Sequence, residues 1–298
     1  MANFDDILNS APPKERAGES AQLSKEDYAA KKKSERDGLF ELSGAAASAA
    51  TKDGGHFRQF MDLQSRFDRY SAVNALLIMT QKPEAVRLGD FDYWKNKNAS
   101  IKTAEKGISI LEPQEYAKED GSPGIGYNVK KVFDISQVHA QRLAPDPVPP
   151  AHSDRNLLKA LVYKAPVQIS SADGLDGGAG AIADPETGAI TVRRGMEFSD
   201  TFSSVAKELA AAELKRNGST NIDRDFSASC VAYMLCKKHG VSAEGFDFSK
   251  VGDVFGHLGA QDRKAALQMM RDAFSDISGR MGRQLESLQK AARNNEAR

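Results

Sequence analysis

Four prolines fall within six residues in the segment RLAPDPVPPAHSD, at Pro145, Pro147, Pro149 and Pro150. Each removes a backbone donor and fixes φ, so the segment favours extended, polyproline-like geometry over helix or interior strand. No other feature constrains the fold as strongly, because elements on either side of such a run must be completed separately. Residues 143–153 are therefore read as a linker. The reading divides the chain into a flexible polar arm (1–55), a first domain (56–142) and a second domain (154–298). A length of 298 residues agrees with two modest domains.

The arm is expected to anchor little, because KEDYAAKKKSERDGLFELSGAAASAA shows no sustained apolar stripe. Its run Lys31, Lys32, Lys33 is read as a solvated helix face. From His56 the texture changes. Phe57, Phe60, Leu63, Phe67 and Tyr70 recur at spacings of three and four, followed by Val73, Leu76, Leu77 and Ile78. This pattern predicts two helices, or one bent helix, ended by Pro83. Alternation through Ile108 and Ile110, and then Tyr127, Val129, Val132 and Phe133, predicts strands joined by a turn in EDGSPGIG.

Beyond the prolines, NLLKALVYKAPVQIS predicts a short helix and a strand, and GAGAIADPETGAITVRRGM a hairpin turning at Asp184 to Gly188. Helices are expected over about 200–216 and 226–239, the second stopped by Gly240. A terminal helix or helix pair presents Leu267, Met270, Phe274, Ile277 and Met281 as a core stripe. The fold class is α+β: N-terminal helices with a small antiparallel sheet, then an α+β domain with a helical C-terminus.

Composition removes several functions. Acidic and basic side chains balance at 41 each, so no global field draws the protein to a polyanion, and any such binding requires a local patch. Cys230 and Cys236 lie six positions apart on a predicted helix, on different faces, and are read as buried, reduced core residues. The five histidines form no cluster at metal-ligand spacing. No leader-like segment and no membrane span is visible, which places the expected protein in the cytoplasm with no membrane partner.

Residues 205–214 read VAKELAAAEL. A zinc-binding HExxH helix sets two imidazoles one turn apart with a carboxylate between them. In that frame stand Lys207, Glu208, Leu209, Ala210 and Ala211, and only the glutamate survives. The match is either an accident of a helix rich in Ala, Glu and Leu or a scaffold that has lost its metal.

Two separated stretches bear on that choice. DRYSAVNALLIMTQKPEAVRLGDFDYW, then KTAEKGISILEP and VFDISQV, resemble the single-stranded-DNA-binding domain of ArdC-type antirestriction proteins and the related LtrC-like proteins of conjugative elements. The matching positions are Asn74, Leu76, Leu77, Ile78, Gln81, Pro83, Trp94, Lys102, Lys106, Gly107, Phe133, Asp134 and Ile135. Ala104 departs from the pattern, standing where the family hairpin has glycine.

The resemblance implies that a zincin-like metallopeptidase domain follows. A later helix in the relatives carries Glu-x-Glu; here SASCVAY places Ser227 and Ser229 at those positions. With Lys207 and Ala211 at the histidine positions, the favoured reading is a degenerate, metal-free domain with no catalytic residues and no cofactor. Glu208 then becomes an ordinary or paired carboxylate.

Single strands are held by cations along the backbone and by aromatic faces under the bases. The window YWKNKNASIKTAEK offers Tyr93, Trp94, Lys95, Lys97, Lys102 and Lys106 against one acid, Glu105, with the last two lysines expected on a hairpin. Arg66, Arg69 and Lys131 are candidates to extend the groove. Trp94 has two readings, a stacking surface or a core anchor, and the second is favoured. Asn74 and Gln81 are read as caps or backbone contacts. The expected partner is single-stranded DNA, bound weakly and salt-sensitively, with a protein partner for the second domain. The alternatives are a protein-interaction module that binds no nucleic acid and an active metallopeptidase.

Overall fold

The computed structural model describes residues 24–118, 120–139, 152–218 and 222–296. Most of the proline-rich segment lies outside the described residues. The protein is mixed α+β, with three small sheets among the described residues. The described residues fall into two units, divided between Glu35 and Arg36.

Helix α1 (Lys25–Ala50) begins in the first unit, where Lys31, Lys32 and Lys33 are exposed. Its later turns belong to the larger unit and differ from the expected loose arm. Ser43, Ala46, Ala47 and Ala50 are buried, at the three- and four-residue spacing of one helix face. Small side chains give almost no hydrophobic signal, yet they permit close approach of a second helix. Here Gly44 and Ala260 meet, and Arg263 donates to Thr51 Oγ1 at 2.5 Å.

The pattern from His56 resolves into two helices, α2 (Gly54–Arg66) and α3 (Ala72–Gln81). The side chains of Asp53 and Ser71 cap their N-termini by accepting from the backbone N–H of His56 and Asn74. Strand β1 (Leu88–Gly89), helix α4 (Phe91–Asn96) and strands β2 (Ser100–Ile101), β3 (Ile108–Ala117), β4 (Pro123–Asp134) and β5 (Val138–His139) follow. One antiparallel sheet has the order β1-β4-β3, in register from Ile108 opposite Val132 to Ala117 opposite Pro123. A separate antiparallel pair joins β2 to β5.

Helix α5 (Asp154–Leu161) leads into strands β6 (Ile169–Ala172), β7 (Ala181–Ala183) and β8 (Ile190–Arg193), ordered β6-β8-β7. The β7–β8 hairpin turns as expected. Asp184 accepts from the N–H groups of Glu186 and Thr187, and Gly188 takes φ +71°. Parallel pairing of β6 with β8 makes this sheet mixed. Helix α6 (Phe198–Asn217) packs on this sheet, and α7 (Arg224–His239) packs on α6 and ends at Gly240 with φ +69°. After the short α8 (Val251–Phe255), a single helix of 37 residues, α9 (Ala260–Glu296), completes the fold. Its expected stripe of Leu267, Met270, Phe274, Ile277 and Met281 is buried, as are both cysteines, whose thiols burial pushes up in pKa.

One hydrophobic cluster includes Phe57, Phe60 and Leu76 from before the proline run and Phe202, Tyr233 and Phe274 from after it. Polar contacts cross the same divide: the Tyr233 hydroxyl donates to Asp62 at 2.7 Å, and Arg58 donates to the Phe246 carbonyl at 2.7 Å. Within the larger unit the change in chain composition at the prolines is therefore not a division of the core. Among the described residues, no helix is long and apolar enough to cross a membrane.

Candidate functional site

The basic window is built around α4. Asp90 caps this helix by accepting from the Tyr93 N–H at 2.8 Å. Trp94 turns inward and is 0% exposed, its indole Nε1–H donating to the Phe133 carbonyl at 2.9 Å. Ala99 and Val138 pack against it in a satellite core. Burial of a large aromatic together with satisfaction of its one donor is the stable solution for tryptophan, and it removes Trp94 from the candidate strand contacts.

Lys95 and Lys97 lie at the exposed end of the same helix, and Lys102 and Lys106 are exposed further on. These last two are not on a hairpin. Residues 102–107 connect β2 to β3, which belong to different sheets because β2 pairs with β5. In this connection Ala104 takes φ +66°, the left-handed conformation that favours glycine. Lys102 donates to the Ser136 carbonyl at 2.7 Å. Glu105, the one acid in the window, accepts from the Gln137 amide at 2.8 Å. Among the described residues none of the four lysines is ion-paired.

The other candidate cations are placed differently. Arg66 donates to the Ala85 carbonyl and Lys131 to the Ser109 hydroxyl, both at 2.5 Å, so each is tied to its own neighbourhood. Asn74 and Gln81 have a structural task. The Asn74 amide bonds both the N–H and the carbonyl of Leu111, and the Gln81 amide does the same for Ser109. Two amides two turns apart on α3 thus substitute for a strand along the outer edge of β3. Asp134, from the Phe-Asp-Ile stretch, is also structural. Burial opposes its ionisation, but hydrogen bonds from Ser136, Arg87 and Val86 outweigh that and hold the carboxyl below its usual range.

Between the first sheet and α9 lies a cavity of about 890 Å³. Phe40, Tyr70, Tyr93 and Tyr127 contribute aromatic walls. Arg69, Lys130, Lys264 and Arg271 contribute cations, against the carboxylates of Asp90 and Glu112. Lys130 is neutralised by Asp90 at 3.0 Å and Glu112 at 2.8 Å. Arg271 is held by Asp272 at 3.0 Å and by the Tyr70 and Asp68 carbonyls. Of the expected residues the cavity brings together Arg69 and Tyr93. Lys264 escaped the sequence reading, although its position three residues before Leu267 puts a lysine in register with the buried stripe of α9. Burial pushes its pKa below the usual lysine range.

Of the motif on α6, only Lys207 faces a second cavity, about 800 Å³, which Asp225 and Ser229 also line. The Lys207 ammonium pairs with Asp225 at 2.7 Å. Ser229 and Ser227 turn back onto α7, donating to the carbonyls of Asp225 and Asp223 at 2.9 and 2.8 Å. Glu208 is half-buried, and burial raises its pKa against the opposing effects of Lys207 and the Ala183 N–H. Ala211 packs against the main core. Thus Lys207 and Ser229 share a cavity wall, whereas Glu208, Ala211 and Ser227 are absent from its lining. Among the described residues no group of three or more His, Cys, Asp or Glu side chains converges as a metal site.

No protein-family model and no curated protein matches the chain. Among solved structures it is similar to the antirestriction ArdC protein from the R388 plasmid. For the Mn(II)-bound structure the TM-score is 0.48 at 14% identity, over 72% of this chain and 85% of that one. For the metal-free structure it is 0.41 at 16% identity, over 76% and 86%.

Proposed function

We propose that the protein binds single-stranded DNA through the lysine-rich segment 95–106, in an antirestriction or conjugation-related role for a mobile genetic element. The observation that carries this reading is the exposure of Lys95, Lys97, Lys102 and Lys106 with no ion pair among the described residues. Each is a cation available to a phosphate, and Glu105, which would oppose them, is engaged by Gln137. The mobile-element role comes from the sequence resemblance around Asn74, Gln81 and the Phe-Asp-Ile stretch.

The second half is read as a metallopeptidase-like layout without metal chemistry or catalysis. One similar structure is described as Mn(II)-bound. The residues here do not fit such an ion: alanine offers no donor atom, a lysine ammonium repels a cation, and both serine hydroxyls are committed to their own helix. Lys207 stands at the first histidine position of the motif with its ammonium tied to Asp225.

Fluorescence anisotropy with a labelled oligonucleotide at low salt tests the binding. Preference for single over double strand is expected, with loss on replacing the four lysines by alanine. Equal binding before and after that change rejects the surface. A second reading, a protein-interaction module that binds no nucleic acid, is favoured by the end of the β3–β4 hairpin, where Tyr116 and Ile125 are 53% and 65% exposed. Its signature is a protein partner lost on replacing those two residues, with no oligonucleotide bound.

A further inference from the structure

The cavity under the first sheet holds two cations without a carboxylate partner among the described residues. Lys264 is only 7% exposed, and its ammonium reaches just the Ser43 hydroxyl, at 3.4 Å. Arg69 is exposed at the edge of the same lining. An ammonium withdrawn from water with no counter-charge is unfavourable, and apolar packing alone would be better served by leucine or methionine. Its placement against an open space of about 890 Å³ makes the missing counter-charge a matter of ligand binding.

We propose that this cavity binds one nucleotide unit, with the phosphate held by Lys264 and Arg69 and the base against the aromatic walls. Phosphate oxygens supply the charge-assisted hydrogen bonds that both cations lack. A flat base suits a wall that includes Tyr70, Tyr93 and Tyr127, since every base has a face that stacks on an aromatic ring. The volume falls in the range of small-ligand sites. An inorganic anion would leave that wall uncovered, and an acidic side chain of a peptide carries no ring to fill it. A free mononucleotide and the 5′ end of a DNA strand present the same chemistry. The proposal does not depend on the lysines of segment 95–106.

Calorimetric titration of the full chain with dAMP, deoxyadenosine and inorganic phosphate tests it. Binding of dAMP is expected at least tenfold tighter than of either fragment. Lys264→Met should weaken dAMP at least tenfold while raising Tm, because it removes an unpaired buried charge; a merely structural lysine would not separate these two readouts. Tyr127→Ala provides a second variant, expected to weaken dAMP but not phosphate. Oligonucleotides with and without a 5′-phosphate distinguish the sources: discrimination in the wild type that vanishes in Lys264→Met identifies a strand end, and binding of dAMP alone identifies a free nucleotide. Failure of both dAMP and the 5′-phosphorylated strand to discriminate wild type from Lys264→Met overturns the proposal. Retention of dAMP binding in the four-lysine variant separates this site from the strand-binding surface.

Discussion

The Lys207 ammonium lies 2.7 Å from the Asp225 carboxylate, joining α6 to α7 at the wall of the second cavity. Asp225 is 74% exposed, so the pair contributes no more than about 1 kcal/mol to stability. Its consequence is chemical: the Lys207 nitrogen on this cavity wall is engaged in an ion pair and offers no lone pair to a metal ion.

If the layout of α6 and α7 is that of a metallopeptidase, restoring donor atoms restores ion binding. The triple variant Lys207→His, Ala211→His, Ser229→Glu is expected to bind about one zinc per chain by elemental analysis, and the wild type none. A triple variant that stays metal-free counts against the layout. Zinc in the wild type counts against the loss of the site.

Strand binding by four unpaired lysines has a salt signature. The slope of log affinity against log salt concentration should fall in magnitude by about 0.7 for each phosphate contact removed. Single replacements of Lys95, Lys97, Lys102 and Lys106 are each expected to change the slope, and Lys102, already bonded to the Ser136 carbonyl, the least. A slope unchanged across all four variants excludes phosphate contact at this surface.

Ala104 holds a left-handed φ of +66° on an exposed connection. A Cβ in that conformation is unfavourable, while glycine adopts it freely. Ala104→Gly is expected to stabilise the protein by about 1 kcal/mol, after the greater flexibility of glycine in the unfolded chain offsets part of the gain. The midpoint of urea unfolding measures it, and a midpoint that falls refutes the assignment of strain.

His239 ends α7 with its ring nitrogen Nε2 buried and unpartnered. Burial first, then Lys238 and His152, lower its pKa from 6.5 to about 4, with Asp68 opposing. A folded-state value below the unfolded one means the unfolded chain takes up the proton first. The corresponding stability is present above about pH 6.5 and is lost as pH falls toward 4, on the order of 3 kcal/mol in all. Denaturant melts between pH 7 and pH 4 should show this decline in the wild type and a shallower one in His239→Leu.

Much of the local structure could be read from residue order alone. Caps, turn residues and apolar spacing act over a few positions, so α2, α3, α7 and the hairpin at Asp184 to Gly188 follow from them. The lack of a metal-binding lone pair at Lys207 and Ala211 is equally a property of the letters, since no fold gives one to an ammonium or a methyl group. Alanine at position 104 departs from the family pattern that the sequence resembles, which has glycine there, and φ at this position is left-handed.

Burial and neighbourhood belong to the tertiary structure. Trp94 could stack on a base or anchor a core until the Phe133 carbonyl and Val138 were placed around it. The alanines of α1 look inert until α9 lies across them, and Lys264 looks like any surface lysine until the same helix turns it into a cavity. Residues far apart in the chain meet there, and whether a charge faces water, a carboxylate or open space depends on those long-range neighbours rather than on the residues beside it.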